Sequence, residues 1–104
     1  MTKLVPISRV TVVADVALET ILLEAFTKLG ALGYTCMECR GKGRHPVHES
    51  PDPFHFTAAL VRIELLVQPS VAEAIVTYLH KEIFANYAAT ACVESVEVAY
   101  GDKF

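Results

Sequence analysis

Arg40, Lys42 and Arg44 put three of the chain's nine basic side chains into five positions, interleaved with Gly41 and Gly43. That pattern suits an anion. Glycines let backbone N–H groups approach closely, the cations neutralise charge, and an arginine fork matches phosphate oxygens. From these residues alone, a glycine hinge between solvated charges reads equally well. Pro46 interrupts any longer G-x-G-x-x-G pattern and no helix follows, so a dinucleotide fingerprint is absent.

Thiols and imidazoles crowd the same region. Cys36-x-x-Cys39 has the spacing of half a zinc site. Positions three apart on a strand face opposite ways, however, and no second Cys-x-x-Cys exists, so these read as structural thiols. His45, His48 and His55 could gather a metal with Cys39, Glu49 or Asp52. Loop histidines are more often solvated, and no metal site is expected. No Ser or Cys carries a nucleophile signature and no carboxylate pair is spaced for acid–base work, so the chain does not read as an enzyme. Tyr100-Gly101 near the end of the chain could bring a ring and a flexible backbone to a ligand.

These groups must be positioned by a small scaffold. With 104 residues, 53% hydrophobic and 20% charged, the chain reads as a single domain, 1–104, rather than a disordered tail. Ser8 to Ala14 alternates as a strand. Asp15 offers an N-cap to a helix carrying Leu18, Leu22, Ala25, Phe26 and Leu29, stopped by Gly30 and Gly33. Tyr34 to Arg40 is a second strand. Gly41 to Phe56 is a long loop with three of the five prolines. In a third strand, Thr57 to Val67, the side chains of Val61, Ile63, Leu65 and Val67 share a face opposite Arg62 and Glu64. Ser70 and Glu73 have capping-box spacing before a helix whose apolar face holds Val71, Ala74, Ile75, Tyr78 and Leu79. Ile83 to Thr90 is ambiguous, and Val93 to Tyr100 closes as a strand.

The order β-α-β-β-α-β predicts an α+β, ferredoxin-like sandwich with a long loop between strands 2 and 3. Two helices cover one face of four strands. The other face is expected to carry Thr11, Arg62, Glu64, Ser95 and Glu97, either wet or against other subunits. A net charge of −3 argues against a nucleic-acid partner. No apolar run reaches the ~20 residues of a membrane span. The N-terminus lacks signal-peptide features, and three cysteines fit a reducing cytoplasm, so a cytoplasmic protein is expected.

Gly33 to Arg44, GYTCMECRGKGR, resembles the segment leading into the T-loop of PII signalling proteins, a G-x-T-x-x-E-x-K/R-G-x-G-R pattern. Arg62 to Val67, RIELLV, resembles the strand that returns from that loop. At 84–90 the chain has FANYAAT where nitrogen-sensing PII proteins carry a T-G-x-x-G-D-G-K phosphate loop. The loop 41–56 also lacks their modified tyrosine. The Gly-Lys-Gly at 41–43, Phe-x-x-Tyr-Ala at 84–88 and closing Tyr100-Gly101 look more like SbtB-type and carboxysome-associated PII-like proteins.

The resemblance implies a homotrimer with no cofactor and no catalytic residue, binding ADP, AMP or cyclic AMP between subunits. Thr35 and Leu66 would lie near the adenine, and Gly41, Lys42, Gly43 and Arg44 near phosphate or ribose. Tyr100 and Gly101 would approach from the last strand. Lys42 and Arg44 would serve bicarbonate. The T-loop, 41–56, would then signal to a bicarbonate transporter or a carboxysome component. The alternative is a CutA-like trimer binding a divalent metal through Cys and His. A small phosphatase of acylphosphatase type ranks lower, because Ser8-Arg9 lies at the start of a strand rather than in a cradle before a helix.

Overall fold

A computed structural model describes residues 3–42 and 58–99. Gly43, Arg44, Tyr100 and Gly101 lie outside the described residues, as do His45, His48 and His55. β1 (Val5–Asp15) leads through a 3-10 turn (Val16–Leu18) into α1 (Glu19–Lys28). β2 (Thr35–Gly41) and β3 (Ala58–Val67) follow, then α2 (Pro69–Tyr78), a π turn (Leu79–Ile83) and β4 (Ala89–Val98). The strands form one antiparallel sheet in the order β2-β3-β1-β4. The expected ferredoxin-like sandwich is what forms.

Period-two alternation builds the core. Val10, Val12 and Ala14 of β1 and Val61, Ile63, Leu65 and Val67 of β3 are buried against the helices. Those helices contribute Leu22 and Phe26 from α1, and Ala72 and Ile75 from α2. Phe26 meets Tyr78 edge-on, with ring centroids 6.3 Å apart, which ties the two helices together. At the far end of α1 the chain turns at Gly30, whose φ of 117° is strained for any residue with a Cβ.

Three local expectations are corrected by the structure. The Ser70–Glu73 capping box does not form. α2 begins at Pro69 with Gln68 as N-cap and no side-chain cap, because proline's fixed φ suits the first helical position and starts the helix earlier. The ambiguous stretch resolves into the π turn, closed by a bond from Phe84 N–H to Leu79 O of 2.8 Å, and then a turn into β4. β4 therefore starts at Ala89 rather than Val93, with Ala89 and Ala91 packed on the core.

The third correction concerns faces. β1 and β4 pair without a bulge, so opposed residues share a face: Thr11 with Cys92, Arg9 with Glu94, Ser8 with Ser95 and Pro6 with Glu97. Ser95 and Glu97 therefore lie on the same side of the sheet as the helices. Thr11, Arg62 and Glu64 do occupy the open face, but the β4 residues that share it are Thr90, Cys92 and Glu94.

Candidate functional site

The candidate site is organised by the β2–β3 pair. Thr35 stands opposite Glu64, and Leu66 is two residues farther along β3, so Thr35 and Leu66 are diagonal neighbours on the open face. Gly41, at the other end of β2, stands opposite Ala58 and is followed by exposed Lys42. A Cβ on Gly41 would come 3.1 Å from Leu60 Cδ1, so glycine lets the strand end lie close under that side chain. Six residue steps separate Thr35 from Gly41, roughly 20 Å at strand rise. Within one chain, Thr35 and the described phosphate candidates Gly41 and Lys42 are thus at opposite ends of a strand.

The glycine end borders a cleft of about 630 Å³ lined by Val16, Glu38, Cys39, Arg40, Ala59 and Leu60. Arg40 and Glu38 give it one charge of each sign. Nearby, Asp15 is committed to structure: its Oδ1 accepts a 2.8 Å bond from Ala17 N–H and caps the turn that leads into α1. Cys36 and Cys39 fall on opposite faces, as their spacing predicts. Cys36 pairs with Ile63 toward the helices, and Cys39 with Leu60 on the open side. Burial, and then the charge of Glu19, push the Cys36 thiol up. Among the described residues no group of three His, Cys, Asp or Glu gathers as a metal site.

A profile of the family described as nitrogen regulatory protein P-II matches residues 7–103. The chain belongs to that family. Among solved structures, a chain of Thermus thermophilus described as a PII-like signalling protein is 37% identical, with 98% of each chain covered and a TM-score of 0.81. The PII-like protein CPII of Thiomonas intermedia, bound to ADP and bicarbonate, is 20% identical, covers 100% of this chain and 99% of its own, and has a TM-score of 0.83. The GlnK–ATP complex of B. subtilis is 14% identical over 88% of this chain and 82% of that one, with a TM-score of 0.65. At these lower identities the likeness to CPII and GlnK is one of fold.

Within the P-II framework, the described part of that segment, 33–42, contains β2, and Arg62 to Val67 lies in β3 beside it. Sequence reasoning missed two neighbours of this pair. Arg9 shares a row with Leu66, and Glu94 completes that row from β4. Neither lies in a motif. The alternation of Arg9 with Thr11 and Val13 is their only local signal; the rest depends on pairing between residues 85 positions apart.

Proposed function

We propose that this P-II family protein is a regulatory, non-catalytic homotrimer that senses adenine nucleotides in the cytoplasm. ADP, AMP or cyclic AMP occupies clefts between subunits. Thr35 and Leu66 of one chain face the base. Gly41, Lys42, Gly43 and Arg44 of another reach phosphate or ribose, and Tyr100 and Gly101 close the cleft. Bicarbonate sits at the loop base by Lys42 and Arg44. Ligand contacts at its base change what the 41–56 loop presents to a bicarbonate transporter or a carboxysome component.

One observation carries the composite reading: Thr35 and Gly41 end the same strand, roughly 20 Å apart, a separation that two chains meeting at a cleft bridge more readily than one. CPII, of the same fold, has been seen with ADP, AMP and bicarbonate, which supports this ligand class.

The decisive experiment is thermal denaturation of the full chain with AMP, ADP, ATP or cyclic AMP, each with and without bicarbonate. A ligand at 100 times its Kd should stabilise the fold by about 2.7 kcal/mol. Arg44→Ala and Lys42→Ala should each remove most of the shift for phosphate-bearing ligands, since a hydrogen bond to a charged group is worth about 1.5–3 kcal/mol. No shift with any adenine nucleotide would reject the reading.

A further inference from the structure

Two charged side chains of β2 have no countercharge of their own. Glu38 and Arg40 alternate with Met37 and Cys39, so both lie on the helix side of the strand, with Cys36. Across the ladder they stand opposite Val61 and Ala59, which offer no charge. Both are exposed, and among the described residues neither makes a side-chain hydrogen bond or an ion pair. Elsewhere on the sheet, Arg9–Glu94 and Arg62–Glu64 do pair, at 3.0 and 3.8 Å.

The same two residues line the cleft of about 630 Å³, whose other described walls are Val16, Cys39, Ala59 and Leu60. Thr35, Leu66, Gly41 and Lys42, proposed above to meet the nucleotide, are not among those walls. A concave site of this size, apolar except for a few placed polar groups, has the proportions of a small-molecule pocket. Arg40 brings a donor fork suited to a carboxylate, and Glu38 brings acceptors suited to an ammonium. A simple anion would meet Glu38 as a like charge, and a simple cation would meet Arg40. A molecule carrying both charges satisfies both residues. We propose that this cleft binds a free α-amino acid with an aliphatic side chain. Its carboxylate lies on Arg40, its ammonium on Glu38, and its side chain against Val16, Ala59 and Leu60.

The test is titration calorimetry of the full chain with L-leucine and two analogues: isocaproate, which lacks the ammonium, and isoamylamine, which lacks the carboxylate. Leucine should bind, and each analogue should bind about tenfold more weakly or worse, the scale of one lost charged hydrogen bond. Glu38→Gln should erase the preference for leucine over isocaproate, and Arg40→Gln the preference over isoamylamine. Each substitution should itself weaken leucine about tenfold or more. Circular dichroism confirms that both variants fold. Cys39, half-buried in the cleft wall, gives a local readout. Leucine should slow its alkylation by iodoacetamide, read by peptide mapping, and leave the rate at Cys92 unchanged.

No heat with leucine at millimolar concentration would overturn the proposal. So would leucine binding that both substitutions leave unchanged, or that leaves Cys39 unprotected. ADP titrated in parallel keeps this site apart from the nucleotide reading. ADP binding without leucine binding rejects the amino-acid site alone, and leucine binding without any adenine nucleotide rejects the nucleotide reading alone.

Discussion

Thr35 and Gly41 end the same seven-residue strand, the threonine opposite Glu64 and the glycine opposite Ala58. The proposed function therefore predicts that a nucleotide using both ends draws them from different chains. Thr35→Tyr and Lys42→Ala should each lower ADP affinity tenfold or more as pure oligomers, within the range expected for a lost charged hydrogen bond or a filled cleft. Co-refolded mixtures of the two variants should regain some high-affinity clefts by calorimetry, because some interfaces then combine two intact halves. Mixtures no better than either parent would count against a shared site.

Gly30 should resist substitution. Its φ is +117°, and an added Cβ would lie 3.2 Å from Val71 Cγ2. Gly30→Ala combines backbone strain with a tight approach to α2, so it should cost more than about 1 kcal/mol in urea unfolding. Gly41→Ala, whose Cβ among the described residues meets the end of the flexible Leu60 side chain, should cost less.

The Phe26–Tyr78 contact joins α1 to α2 over the sheet. Phe26 is 1% exposed, and Phe26→Ala should destabilise by about 3–5 kcal/mol through lost burial and a residual cavity. Global stability of domains this size is about 5–15 kcal/mol, so the variant should unfold at a much lower urea concentration. A midpoint near that of the parent would mean that the helices repack.

Alkali should loosen the fold in a defined order of causes. Burial first, with a neighbouring carboxylate second, pushes up both the Cys36 thiol, near Glu19, and the Tyr78 phenol, near Glu82. A raised folded-state pKa means that the unfolded chain loses its proton first. The associated stability is complete below the unfolded value and decays as pH climbs through the folded one. Urea midpoints should fall in the alkaline range. Cys36→Ala should flatten the earlier part of that fall and Tyr78→Phe the later part. An unchanged profile in both variants would refute the assignment.

Much of the scaffold was legible because its signals are local. Val10-x-Val12-x-Ala14 and Val61-x-Ile63-x-Leu65-x-Val67 alternate, and both sets are buried. Leu18, Leu22 and Phe26 keep helical spacing, and all three are buried. The start of α2 was misread because Ser70 and Glu73 imitate a cap, while Pro69 one position earlier starts the helix. The start of β4 was misread because Ala89 and Ala91 carry too little hydrophobicity to announce a strand until they meet a core already built.

What the chain by itself determined was the set of elements, their order, and the collection of glycines and cations where β2 gives way to the loop. Each of these follows from backbone preference and side-chain period over a few residues. Tertiary structure alone decided which residues share a face and which ends lie apart. Hydrogen-bond register between strands sets parity, and parity moved Ser95 and Glu97 to the helix side while bringing Glu94 to Arg9. Such pairings join positions far apart along the chain, and only the folded sheet makes them neighbours.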